Sequence, residues 1–224
     1  MFKNWKGKKL GLLFVIMLTV MPYLAPAHTE LDMVGKVLKI EVTFLYLQVG
    51  FEHIIPLGFD HILFILSLFL LSPKLKTIVW QATSFTVAHS ITLGLAMYGV
   101  VSVPAHIVEP IIALSIMFVA LENVITDKLK PTRIVIVFIF GLIHGLGFAG
   151  VLKNLGLPKQ EFFNALVSFN VGVELGQIAI IIGAWFLCGK WFSQKEWFRA
   201  RIVNPVSILI ALIALYWTIE RAFF

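Results

Sequence analysis

Charge is scarce in this sequence. Only 13% of its 224 residues are Asp, Glu, Lys or Arg, while 59% are hydrophobic, against about a quarter charged in a typical soluble domain. The charges gather between apolar runs long enough to cross a bilayer, which excludes a water-soluble domain and leaves an all-α, polytopic helical bundle in lipid. Acidic charge is the scarcer sign, 12 residues against 18 basic ones. In a soluble chain that excess suggests nucleic acid. Between membrane spans it marks cytoplasmic loops instead, so no nucleic-acid partner is expected. Cysteine is nearly missing: Cys188 stands alone in an apolar run, which excludes an intrachain disulfide and a thiolate-built metal site. A metal here must bind imidazole and carboxylate, a donor set for borderline or harder divalent ions rather than Cu(I). No internal repeat or low-complexity linker divides the chain.

What is present begins with a basic stretch, MFKNWKGKK, followed by the apolar LGLLFVIMLTVMPYLAPA. Small residues at Ala25 and Ala27 fit signal-peptidase cleavage, so residues 1–27 read as a signal peptide or, uncleaved, as an anchor helix. Residues 28–224 then form one transmembrane domain with six core crossings at about 57–72, 77–99, 104–126, 133–152, 161–188 and 204–220. The segment 40–55 reads as a helix leading into the first, packed on the outer side of the membrane. With the amino terminus of the precursor inside, the cytoplasmic side receives 13 of the 18 basic residues, in agreement with the positive-inside rule. The mature amino terminus and the carboxyl terminus then lie on the outer, periplasmic side of a bacterial inner membrane.

Ionisable residues inside such spans are costly and usually face a bundle interior or a polar cavity. The stretch HIIPLGFDH, residues 53–61, places His53, Asp60 and His61 around a Pro56-Leu57-Gly58 turn at the mouth of an oily helix. At 1.5 Å rise per residue, His89 and His144 lie about 16–18 Å from the inner ends of their helices, near the depth of that mouth. The set His53, Asp60, His61, His89 and His144 therefore reads as a site for a divalent metal ion. Glu109, Asn170, Glu174 and Gln177 are candidates for a transport path or for supporting the ligands, the last three sharing one helix face. Glu122 and Asn123 form a deeper polar position near the cytoplasmic end, where Glu122 could alternatively serve structure by pairing with Lys128 or a neighbouring helix. His106 reads as an interfacial residue. Gly141/Gly145 and Gly172/Gly176 have the spacing of close helix packing, and the 20 phenylalanines need no role beyond lipid and core contacts.

At these residues the sequence resembles the HupE/UreJ family of bacterial membrane proteins, in particular its branch with a signal sequence. The matching blocks run through residues 50–177: GFEHIIPLGFDHILFILSLFL, SFTVAHSITL, EPIIALSIMFVALEN, FGLIHGLGFAG and FNVGVELGQ. The family is associated with hydrogenase and urease gene clusters and described as nickel or nickel–cobalt permeases. The resemblance thus implies metal uptake, a nickel-enzyme maturation system as partner, and a metal-admitting motif of His53, Asp60 and His61 completed by His89 and His144. The residues themselves suit nickel, cobalt, zinc, iron or manganese alike.

Three functions use these groups. A permease would capture the ion from outside at His53, Asp60 and His61, pass it to His89, His144 and Glu174, and release it past Glu122. An intramembrane metal-dependent hydrolase at the outer leaflet would leave a ligand position for water, with Glu174 or Glu109 as base and Ser84 or Ser90 as hydrogen-bond donor; no HExxH signature accompanies it. A structural or assembly protein would hold a stabilising metal. Oligomeric state is not legible here.

Overall fold

The computed structural model describes residues 27–155 and 159–224, with side chains described for residues 38–152 and 160–224. The expected signal peptide lies almost wholly outside the described residues. Residues up to Val42 cluster apart from the compact unit Thr43–Phe224; the first unit contributes the opening of one helix, and every site below lies within the second.

Among the described residues the chain is all helix: α1 Ala27–Ile54, α2 Phe59–Leu71, α3 Leu75–Met97, α4 Ala105–Ile125, α5 Arg133–Leu155, α6 Phe162–Ala184 and α7 Asn204–Phe223. A wider, π-type turn, Trp185–Gly189, extends α6, and another, Arg199–Val203, opens α7. Pro205 occupies the first turn of α7, where no amide partner is lost.

Among the described residues, four stretches are long and apolar enough to cross a membrane: Ala105–Ile125, Arg133–Leu152, Phe162–Phe192 and Arg199–Phe223. A fifth arises if Leu38–Ile54 and Phe59–Leu71, bent by 67° at their junction, count as one broken span. The expected 57–72 crossing is thus a 13-residue helix, about 20 Å long, and needs its predecessor to reach across. The expected 77–99 crossing has the length, 23 residues, but Gln81, Thr83, Ser84, Thr86, His89, Ser90 and Thr92 keep α3 below that apolarity. It can be polar because it packs in the interior, most extensively against α5.

Glycine sets these pairings. Gly141 and Gly145 lie against the α3 backbone at Phe85 and His89, so α3 and α5 run parallel in close contact. Gly172 and Gly176 admit α1 at Leu47 and Ile54, and Gly50 meets the Phe169 carbonyl. The end of α1 is therefore held against α6 within the bundle. Small residues allow backbones this near, where van der Waals contact drives helix association in lipid. From α2 to α7 successive helices reverse direction: Asp60 meets Arg221 at one end, while Ser67, Asn123 and Ser207 meet toward the other.

Candidate metal centre

Four histidines from four helices converge beneath the α1–α2 bend. The ring centroids of His53 and His61 are 4.6 Å apart, those of His61 and His89 6.0 Å, His53 and His89 6.1 Å, and His61 and His144 5.2 Å. Each of His53, His61 and His89 offers a ring nitrogen within 4.8 Å of those of the other two. Their Nε2 atoms, and Nδ1 of His144, are buried without a protein hydrogen-bond partner. A buried polar atom with no partner is destabilising, and the three gathered from His53, His61 and His89, with His144 beside them, describe a place for something that accepts lone pairs. Around a tetrahedral ion bound at about 2.05 Å, neighbouring nitrogens sit about 3.4 Å apart, so the rings need to draw in by roughly an ångström.

The outer nitrogens of two rings establish which nitrogen faces inward. His89 Nδ1 lies 3.4 Å from Asn170 Oδ1, and the Asn170 amide is oriented by its own donation to the Leu166 carbonyl at 2.8 Å. An amide oxygen only accepts, so Nδ1 carries the proton and Nε2 keeps the lone pair. Ser115 donates its single hydroxyl proton to the Ile112 carbonyl at 2.7 Å. Its contact with His144 Nε2 at 2.9 Å therefore takes a proton from the ring, leaving the lone pair on Nδ1. This is how ligating imidazoles are held in tautomer and orientation. Phe64, Phe85, Phe148 and Phe169 wall the cluster, with Phe148 3.9 Å from His53 and Phe85 4.9 Å from His144 between centroids. These four phenylalanines have a role that composition does not reveal.

Three of the four histidines, His53, His61 and His144, line a cavity of about 580 Å³ with Glu52, Asp60, Glu109 and Arg221 among others, while His89 lies outside that lining. Three carboxylates around one mouth favour the approach of a cation. Asp60 shares that lining but is engaged by Arg221. Its two oxygens take hydrogen bonds from Arg221, each at 3.1 Å. Arg221, which sequence reasoning misses, is signalled only as an arginine in the last turn of an apolar helix. His106 is exposed and outside the cavity lining.

Other candidates fall elsewhere. Glu174 takes hydrogen bonds from Thr83 at 2.6 Å and Thr86 at 2.5 Å, in a separate groove that also includes Ser90 and Asn170. Ser84 lines neither space. Gln177 is wholly buried with both amide atoms unpartnered. Glu122 pairs with Arg133 at 3.1 Å, not with Lys128. Asn123 donates to the Ser67 carbonyl at 2.8 Å and accepts from Arg133 at 3.4 Å. Arg199 donates to the Asn123 and Thr126 carbonyls, both at 2.8 Å. The deeper polar position is thus a knot tying α2, α4, α5 and the start of α7.

Fold and site together define a multi-pass helical membrane protein with an intramembrane histidine cluster able to hold a metal ion. The profile of the HupE / UreJ protein family matches residues 30–221, nearly the whole chain. The chain belongs to that family. No curated protein and no solved structure matches it.

Proposed function

We propose that the chain is a divalent-cation permease of the bacterial inner membrane, with nickel or a related ion as cargo. The observation that carries this reading is the cluster of four imidazoles with buried, unpartnered ring nitrogens, three of them lining a cavity that they share with carboxylates. Glu52 and Glu109 attract the ion, the charge of Asp60 being offset by Arg221, and His53, His61 and His89 take it from water, with His144 next in line. Neutral imidazoles suit borderline divalent ions. The alternation of helix direction supports the six-crossing scheme, in which the bent α1–α2 pair and polar α3 complete the bundle, and the distribution of basic residues among the loops favours a periplasmic side for the cavity.

Beneath the cluster, the Glu122–Arg133 pair and Asn123 close the route, so crossing requires that knot to loosen. A polar plug below a one-sided cavity is what alternating access needs in its outward state. The hydrolase reading is less well supported: of its named residues only Glu109 lines the cavity with the histidines, and Glu174 and Ser90 lie in the other groove.

Purified protein loaded with Ni²⁺, Co²⁺ or Zn²⁺ tests the site directly. Metal analysis should find one ion per chain with imidazole nitrogen ligands by X-ray absorption, and His61→Ala or His89→Ala should lose it. Retention of the ion in both variants would remove the histidines from the site.

A further inference from the structure

Most buried polar side chains fall into two groups. The histidines with Ser115 and Asn170 make the metal centre, and Ser67, Asn123, Arg133 and Ser207 make the knot. Gln177 belongs to neither. It is 0% exposed, and its amide oxygen and amide nitrogen are both without a protein hydrogen-bond partner. An amide offers two donors and an oxygen with two lone pairs, so a whole hydrogen-bonding group is buried unused. Such a group lowers the stability of the fold, and a leucine of similar volume would not. The other buried glutamine, Gln81, differs, since it donates to the Thr77 carbonyl of its own helix at 3.3 Å.

The depth of Gln177 gives this group a use. On α6, Asn170 meets His89 at the level of the metal centre. Gly189, in the turn that extends α6, lies against Phe69 of α2, two positions beyond Ser67 of the knot. Gln177 is seven residues past Asn170 on the way there, about 10 Å deeper by helical rise. Glu174, one turn before it, is turned to Thr83 and Thr86 of α3. Ile181, one turn after it, is packed in the core that also holds Phe64, Phe85 and Ile116. An ion moving from the histidines to the knot along α6 meets packed hydrocarbon and the Gln177 amide.

We infer that the carbonyl oxygen of Gln177 is an intermediate station for the ion between the histidines and the knot, an inference that rests on the permease reading. Carbonyl oxygen suits borderline divalent ions less well than imidazole does. That is the property a station needs, because passage requires sites that take the ion and then let it go. Gln177 lies outside the lining of the outer cavity, so the ion reaches it only as the bundle rearranges.

Gln177→Leu separates this role from a structural one, because it keeps the volume and removes the orphaned group. In proteoliposomes its influx of Ni²⁺ should fall about tenfold, the effect of removing one polar contact to a charged group. The purified variant should still bind one Ni²⁺ with wild-type affinity and should melt at or above the wild-type temperature. Gln177→Met should behave alike. Undiminished influx in a folded Gln177→Leu protein, from a wild type that transports, would overturn the station and leave the permease standing. Lower stability or loss of folding in both variants would show that the amide serves the fold, and would overturn it too. Absence of influx in the wild type would overturn the permease reading and this inference with it.

Discussion

Arg221, in the last turn of α7, holds both oxygens of Asp60, in the first turn of α2, at 3.1 Å each. Asp60 and His61 are neighbours in sequence yet do separate work, because adjacent helical residues point about 100° apart. The carboxylate ties the mouth of the cavity to the end of the chain, while the imidazole joins the metal-binding floor. The pair is partly exposed, so it contributes little to stability. Its importance is positional: it anchors the short helix that carries His61 and sets one positive charge beside the incoming cation.

Removing that charge should favour the ion. Arg221→Gln is expected to tighten divalent-cation binding about fivefold, from roughly 1 kcal/mol of relieved repulsion in a partly screened site. Isothermal titration with Ni²⁺ gives the value. A weaker affinity in a folded variant would mean that anchoring α2 outweighs the charge.

The two proton acceptors behind the histidines should matter nearly as much as ligands. Ser115→Ala and Asn170→Ala each free a ring to turn and to change tautomer, and each should cost about tenfold or more in metal affinity. Asn170→Asp keeps an acceptor and should recover most of the loss. Equal affinities for the wild type and both alanine variants would show that the tautomers are not held this way.

The buried Glu122–Arg133 pair predicts an asymmetry. Glu122→Gln leaves a buried guanidinium without its counter-charge, a loss of about 3–5 kcal/mol, whereas replacing both partners by Leu and Met should restore much of the stability. Thermal unfolding in detergent reads this. Metal binding at the histidines should survive in the double variant, while passage of the ion, which needs the knot to open and offer polar groups, should slow. A Glu122→Gln protein as stable as the wild type would show that the pair carries little.

Two glycines on one helix should behave oppositely. A methyl at Gly145 would collide with the His89 carbonyl and Thr92, forcing α5 from α3 and separating His144 from His89. Gly150 has open space at the same vector, so Gly150→Ala should be neutral or stabilising by about 0.5–1 kcal/mol through helix propensity. Thermal stability and bound Ni²⁺ should fall together in Gly145→Ala and in neither respect in Gly150→Ala.

The histidine cluster is largely legible in the amino-acid sequence. Imidazoles within apolar runs are expensive enough to be noticed, and the fixed helical rise gives His89 and His144 similar depths. Close packing at Gly141, Gly145, Gly172 and Gly176 is legible for a similar reason, since their spacing puts small residues on one face. Rotation is harder, because a helical face has meaning only once its neighbour is known. Asp60 reads as a ligand or as support for one, and its pairing with Arg221 is not legible because that residue lies 161 positions later. Glu122 reads as paired with Lys128 or with a neighbouring helix, and the partner is Arg133 at the start of the next helix. The packing of the helix ahead of the 53–61 motif is not legible either, since its aromatic and aliphatic residues suit a membrane surface and a bundle seam equally. Gly50 is the informative position, and its close approach to Phe169 becomes visible only with both helices in place.

The most direct test of the account is the rate of Ni²⁺ influx into proteoliposomes, measured with a trapped metal-sensitive dye. Wild-type protein should give saturable influx well above that of protein-free liposomes, and His61→Ala, correctly inserted and folded, should reduce it at least about tenfold. Wild-type influx no faster than that of empty liposomes, in a protein that still holds one ion at its histidines, would contradict the permease and leave the cluster as a fixed metal site.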